Sequence, residues 1–304
     1  MNENKNPMYC DPETGVCEIP GTTTGETMVN LQADKKPIRL LYFTDPICSS
    51  CWGIEPQLRK LKLEYGDIFD MEYRMGGLLS GWENYGGSDV SGPESVAEHW
   101  EEASGFYQMP IDGDVWLEDP LDSSYPPSVA FKAAQMQDAE KAVSFMRKVR
   151  EMLFLEKKNI SKWEHLKEAA EASNLDVRQF KTDYEGKARE RFEEDLELKK
   201  QMGVRGFPTI FFADEEGNRL LVYGSKPYEK YGETLLKLYP EAKKQEIDTS
   251  PENLFNLYPT YTTREFAEIS GKNMDTAENS LEGLVSEGKI KKQESKNGPL
   301  WIKM

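Results

Sequence analysis

The alternation of hydrophobic and polar positions along this chain changes period several times, and each change marks a new element. Ile38, Leu40, Leu41, Tyr42 and Phe43 form a short apolar run, the pattern of a buried strand. Ile54, Leu58 and Leu61 then recur at helical spacing, with Pro56 inside the pattern predicting a kink. Met71-Glu72-Tyr73-Arg74-Met75 alternates as a strand until Gly76-Gly77 ends it, and residues 81–93 carry the Gly, Ser and Asn content of a loop. From Glu94 to Met202 the pattern is helical. Ala142, Val143, Met146, Val149, Leu153 and Phe154 trace one apolar face, Ser161-Lys162-Trp163-Glu164 matches a capping box, and Asp176 marks another helix start. At Gly203 the pattern turns β-rich through Phe212. Glu215 to Asn218 form a hairpin turn, Arg219 to Tyr223 a return strand, and Tyr228 to Leu238 a helix. Beyond a charged linker at 241–251 come short helical patterns at Glu252–Tyr258, from Thr262, and at Met274–Glu287. Two strands, Lys289–Lys292 and Leu300–Lys303, flank Asn297-Gly298.

Chemistry enters where the first strand gives way to the first helix, at Cys48-Ser49-Ser50-Cys51. The first turn of a helix has backbone N–H groups without partners and the positive end of the helix dipole, so a thiolate there is stabilised. The expectation is a lowered pKa at Cys48, attack by Cys48 on a substrate disulfide, and resolution of the mixed disulfide by Cys51. The competing readings are two structural thiols or half of a zinc site, and the latter lacks a second close pair or histidines at short spacing. No metal and no cofactor are therefore expected. His99 and His165, the only histidines, each stand alone in a charged helix and are not expected to be catalytic.

A second pair, Cys10 and Cys17, brackets the turn-forming Asp11-Pro12-Glu13-Thr14-Gly15. It reads either as a second redox pair exchanging with Cys48 and Cys51 or as two incidental thiols of a flexible N-terminal segment, and Gly21 to Gly25 looks like a linker.

Composition narrows the classes of function. A hydrophobic fraction of 38% with six tryptophans supports real cores across 304 residues. A net charge of −16 speaks against nucleic acid or an anionic membrane as partner. No run is long enough to span a membrane, and the polar start from Met1 to Asn6 has no signal-peptide core, so a cytoplasmic location is expected. In a reducing compartment a C-x-x-C pair is more often catalytic than structural.

The Cys48–Cys51 motif with Pro56, followed far downstream by Val204-Arg205-Gly206-Phe207-Pro208-Thr209, resembles the thioredoxin fold, and the helical stretch between resembles the insertion of the DsbA family. Asp45-Pro46 before Cys48, Trp52 after Cys51, Glu55-Pro56, and Lys62 with Glu64-Tyr65-Gly66 are similar to two cytosolic branches. These are the FrnE-like oxidoreductases and the YjbH-like adaptors, which present the Spx transcription factor to the ClpXP protease. The resemblance covers about residues 38 to 240. It implies an α/β fold in which a cis-proline loop, here Phe207, Pro208 and Thr209, lies against the C-x-x-C and holds the substrate chain, with Trp52 beside it. It also departs from the family: Tyr42 stands six residues before Cys48 where a buried acid is usual, leaving Asp45 as the candidate for proton transfer, and the intervening pair is Ser-Ser.

The expected organisation is a flexible segment at 1–36, a thioredoxin domain from 37–80 and 186–240, a helical insertion at 81–185, a linker at 241–251 and a small α+β unit at 252–304. This last unit resembles a winged helix. Its third helix carries Asp275, Glu278, Glu282 and Glu287 and no Lys or Arg, so docking or dimerisation is expected of it rather than DNA reading. The leading function is a thiol–disulfide oxidoreductase acting on protein thiols and disulfides. The rival is a proteolytic adaptor or chaperone whose thiols sense oxidants. A third option, an isomerase or glutathione transferase, fits less well because those relatives generally lack the second cysteine.

Overall fold

The computed structural model describes residues 9–11, 16–18, 36–84 and 92–304. The Gly21–Gly25 linker and the turn between Cys10 and Cys17 lie outside the described residues. The elements are β1 (Tyr9–Asp11), β2 (Val16–Glu18), β3 (Ile38–Thr44), α1 (Ser49–Gly53), α2 (Glu55–Tyr65), β4 (Phe69–Met75), α3 (Pro93–Tyr107), α4 (Val115–Glu118), α5 (Tyr125–Gln137), α6 (Ala139–Phe154), α7 (Trp163–Ala172), α8 (Val177–Tyr184) and α9 (Ala188–Gln201). They continue with β5 (Thr209–Asp214), β6 (Arg219–Tyr223), α10 (Tyr228–Leu238), α11 (Pro251–Leu257), β7 (Thr260–Thr262), α12 (Thr263–Ser270), α13 (Met274–Ser286), β8 (Ile290–Gln293) and β9 (Leu300–Lys303).

A mixed sheet with strand order β1-β2-β6-β5-β3-β4 forms the centre. β3 and β4 are parallel, while β3–β5 and β5–β6 are antiparallel. Because strand side chains alternate, β3 sends Ile38, Leu40 and Tyr42 into one core with α2 and α10, and Phe43 into another with Val204, Phe211 and Leu221. That explains its unbroken apolar run. The break expected at Pro56 is a division into α1 and α2 at Ile54, with Pro56 in the first turn of α2, where its missing N–H is not needed.

The N-terminal segment, expected to be flexible, differs from that reading where it is described. β1 and β2 form an antiparallel pair that continues the sheet beyond β6. An edge strand leaves N–H and C=O groups open, and β2 closes those of β6. A second difference lies at α7. Its N-cap is Lys162 without a side-chain cap bond, and the Ser161 hydroxyl instead donates to Asn159 Oδ1. Asp176 caps α8 as expected, accepting from the N–H groups of Arg178 and Gln179.

Helices α3 to α9 build a core that also takes in Ile47, Trp52, Met75 and Leu79 from α1, β4 and their loops, and Leu300 of the C-terminal unit packs into it. That unit runs helix, strand, helix, helix and hairpin, with a three-stranded sheet ordered β7-β9-β8 around Trp301, Tyr261 and Phe266. Buried charges join it to the rest. Glu265 is fully buried and takes Arg147 of α6 in a bidentate pair at 2.7 and 2.9 Å, with Arg59 of α2 at 3.3 Å. It also closes a capping box at the start of α12 by accepting from the Thr262 N–H. Burial alone would raise its carboxyl, but Arg147 and Arg59 outweigh it and hold the group below the usual carboxylate range. Thr260 donates to Glu151 of α6 at 2.5 Å. Among the described residues no helix is long and apolar enough to cross a membrane.

Replacing one partner of a buried ion pair leaves the other uncompensated. Glu265→Gln is therefore expected to cost about 3–5 kcal/mol in urea unfolding, with the C-terminal unit loosening first. An unfolding midpoint equal to that of the parent protein would mean that these charges are solvated rather than paired.

Candidate functional site

Strand register sets up the site. β3 ends at Thr44, four residues before Cys48, and β5 begins at Thr209, directly after Pro208. The antiparallel pairing places Phe43 opposite Thr209, so the two loops emerge side by side at one end of the sheet. The Phe207–Pro208 peptide is cis. Cys48 is the N-cap of α1, with extended backbone, and its Sγ accepts from the Cys51 N–H at 3.1 Å. Cys51 is fully buried and Cys48 is 5% exposed, so only one sulfur approaches the surface.

Two glycines allow the proline loop to close. A Cβ on Gly76 would lie 1.9 Å from the Phe207 ring, and one on Gly206 would lie 2.5 Å from the Tyr223 hydroxyl. The Thr209 hydroxyl donates to the Gly206 carbonyl at 2.7 Å and braces the turn. Between this loop and the insertion lies a cavity of about 190 Å³, lined by Ile47, Cys48, Leu78, Leu79, Trp82, Val96, His99, Trp100, Trp116 and Phe207 among others. Its walls offer mostly apolar and aromatic surface, which suits an apolar side chain next to a reacting sulfur.

The insertion reaches beneath the cysteines. Arg150 of α6, 1% exposed, donates to Glu55 at 2.5 Å, to the Thr44 hydroxyl at 2.7 Å and to the Asp45 carbonyl at 3.2 Å. Burial works to raise Cys51, but its bond with Cys48, the Arg150 charge, the Thr44 hydroxyl and the Asp45 backbone N–H outweigh it and leave this thiol lowered. Cys48 moves the other way. Burial pushes it up, and its bond and proximity to Cys51 add to the rise. The expected acidification of Cys48 is thus reversed, because a single N–H at the helix start does not offset nearly complete burial.

Cys48, Cys51, Phe207, Pro208 and Thr209 come together as expected. Trp52 does not join them on the surface. It is fully buried, donates to the Pro110 carbonyl at 3.0 Å, stacks on Phe154 and lies under Arg147. It supports the site and is closed to a client, because the insertion folds over α1. The Asp45 carboxylate is also turned away. One oxygen accepts from the Ile47 N–H, the other from the Leu78 N–H and the Ser124 hydroxyl, so only its backbone meets the thiols. Cys10 and Cys17 stand opposite one another in register, with Cys17 paired to Leu221. β2 lies three strand spacings from β3, about 14 Å, so the structure does not bring this pair to Cys48. Among the described residues Glu101, Asp112 and Asp114 cluster as metal ligands would, but Lys296 already pairs with Glu101 at 3.0 Å and Asp114 at 2.7 Å. Sequence reading missed Thr44, Glu55, Ser124 and Arg150. A signal for the last existed, since Arg150 falls four residues after Met146 and three before Leu153, on the apolar stripe of α6.

The sequence model of the thioredoxin family matches residues 41–233. The chain is 34% identical to the ClpXP adapter protein SpxH of Halalkalibacterium halodurans, with 99% of each chain covered. It is 32% identical to SpxH of Bacillus subtilis, over 88% of this chain and 89% of that one. In fold it is similar to the cytosolic disulfide reductase DsbM of Pseudomonas aeruginosa, with a TM-score of 0.53 at 22% identity, covering 66% of this chain and 99% of that chain.

Burial pushes the Asp45 carboxyl up to about 6 despite its hydrogen bonds to Leu78, Ile47 and Ser124. An acid raised in the folded state binds protons more tightly there than in the unfolded chain, so its contribution is complete below about pH 4 and lost as pH rises through about 6. The expected fall is on the order of 3 kcal/mol. Asp45→Asn should flatten this part of the stability–pH curve in denaturant titrations, and an unchanged slope would assign the pH dependence to other groups.

Proposed function

The chain belongs to the thioredoxin family and, within it, to the family of the ClpXP adapter protein SpxH, and from that membership we propose that it is a proteolytic adapter. It holds a client protein on the thioredoxin surface and delivers it to ClpXP, with Cys48–Cys51 reporting the redox state. The observation that carries this reading is the reach of the likeness. The thioredoxin match ends at residue 233, whereas the likeness to the adapter runs over 99% of both chains and takes in the C-terminal unit. That unit is joined to α2 and α6 by buried ion pairs, as a module that works with the thioredoxin surface would require.

The surface around the thiols supports protein binding. Phe106 is 77% exposed beside Tyr107, whose hydroxyl donates to Ser50, and Leu78 and Tyr223 are exposed next to the cavity and the proline loop. Large exposed apolar residues around a cleft favour a protein partner. In the winged-helix-like unit, α13 and its C-cap present Asp275, Glu278, Glu282 and Glu287, which favours a protein over a phosphate backbone.

A second reading, thiol–disulfide exchange with protein substrates, is favoured by the uninterrupted C-x-x-C opposite Pro208. In it the Cys48 thiolate attacks a client disulfide and releases one client thiolate. Cys51 then attacks Cys48, releasing the second and leaving Cys48–Cys51 oxidised.

The test uses purified ClpXP, the Spx transcription factor named by the family resemblance, and the full-length chain. Client loss should accelerate by about tenfold or more, within the gain that tethering supplies, and Cys48→Ser should retain the effect while Phe106→Glu weakens it. An unchanged rate of client loss would overturn the adapter reading. Reduction of insulin disulfides, abolished by Cys48→Ser and giving a trapped mixed disulfide with Cys51→Ser, would establish the second reading.

A further inference from the structure

We propose that the groove between α7 and α8 is a docking site for an acidic segment of a partner protein, separate from the surface around the thiols. The groove has a volume of about 590 Å³, against about 190 Å³ for the cavity beside Cys48, and the two share no lining residue. Trp163 and Val177, both half-buried, form its floor. Lys167, Arg178 and Lys181 stand exposed around them, with a single carboxylate, Glu185. Helical spacing produces the arrangement. Trp163 and Lys167 are four apart on α7, and Val177 and Lys181 are four apart on α8, so each helix turns one apolar and one cationic side chain to the groove. The Trp163 ring packs against Phe180 and Tyr184 of α8, with centroids 5.8 and 5.4 Å away, which fixes the floor between the two helices.

Charge selects the occupant. The chain carries a net charge of −16, so a groove lined by three cations and one acid runs against its overall sign. These cations are also loosely held. Lys167 meets Glu171 at 3.5 Å and Lys181 meets Glu185 at 3.7 Å, whereas the surface lysines Lys157, Lys162 and Lys296 hold their acids at 2.5 to 2.7 Å. Arg178 forms no ion pair among the described residues. Long exposed pairs contribute little, so an incoming carboxylate displaces them at small cost. Lys181 lies over the Trp163 ring at 5.8 Å, which puts a carboxylate that takes its ammonium directly above the apolar floor. The matching occupant is a short segment with one aliphatic or aromatic side chain for Trp163 and Val177, flanked by Asp or Glu. A nucleic acid fits less well, because its phosphates run past a footprint of three cations onto a surface of net negative charge. A short segment meets the local charges alone, since exposed charges beyond about 8 Å are screened at physiological salt.

The test is fluorescence anisotropy with the full-length chain and a fluorescein-labelled peptide, Asp-Glu-Leu-Trp-Glu-Asp, compared with its amide counterpart, Asn-Gln-Leu-Trp-Gln-Asn. The acidic peptide should bind saturably and about tenfold more tightly than the amide form, and high salt should remove most of the difference. Arg178→Glu combined with Lys181→Glu should weaken the acidic peptide by about tenfold or more, because each reversal turns an attraction into a repulsion. Lys237→Glu, the same change at an exposed position of α10, should leave binding unmoved. Arg178→Gln combined with Lys181→Gln should give a smaller loss and decides the matter if the reversed pair does not fold. Equal binding of the two peptides, binding indifferent to the substitutions in the groove, or tighter binding of a single-stranded oligonucleotide would overturn the inference. So would self-association in sedimentation that Arg178→Glu abolishes, since the occupant would then be a second copy of the chain. The assay uses neither client, protease nor thiol chemistry, so its failure and that of the adapter reading are separate results.

Discussion

An arginine keeps its proton in any protein environment, so a buried guanidinium dictates what surrounds it. Helix α6 carries one, Arg150, and a second that is nearly so, Arg147. Arg150 points into the thioredoxin half and requires Glu55, Thr44 and the Asp45 carbonyl. Arg147, one turn earlier, requires Glu265 of the C-terminal unit and Glu151 of its own helix. None of these three acids can move away without leaving a charge in a medium where isolated charges cost several kcal/mol. The insertion thus acts as a strut that sets where the dithiol loop sits and where the last module docks.

The same helix brings the two ends of the molecule into one contact chain. Trp52 follows Cys51 directly, stacks on Phe154 at the end of α6, and has the Arg147 guanidinium over its ring at 4.5 Å. Arg147 then reaches Glu265, and Glu265 closes the first turn of α12. From the inner sulfur to the C-terminal unit the path runs through buried, hydrogen-bonded or stacked groups, each with little freedom to relax. The thiols and the added module are therefore parts of one packed body, although the sequence separates them by some two hundred residues.

Local period made most elements legible. The apolar run of β3, the alternation of β4, the break near Pro56 and the helix start at Thr262 are all properties of neighbours in sequence. What escaped was set by distant residues. Trp52 looks like a client contact from its place after the C-x-x-C, and only the fold of α3 to α6 over α1 shows it enclosed. Asp45 looks like a proton carrier until the Leu78 N–H and the Ser124 hydroxyl claim its oxygens. Arg150 was visible as a charge on an apolar stripe, but its partners lie 95 to 106 residues away and no spacing rule connects them. The helix-start argument for Cys48 was sound locally and was outweighed by burial, a property of the whole fold.

Binding and exchange make different demands on this surface. Exchange requires a client sulfur to reach Cys48, which is 5% exposed behind Leu78 and Phe207, and it requires charge on that outer sulfur. Binding requires only the apolar rim, and Phe106 and Tyr223 stand exposed while the thiols are free. The structural support reaches both: α1 carries Ser50 to the Tyr107 hydroxyl beside Phe106, and the proline loop seats Gly206 against Tyr223. The framework that aligns a dithiol thus also fixes an exposed apolar rim beside it. On the adapter proposal, such a chain keeps both sulfurs buried while its exposed rim stays open to a client.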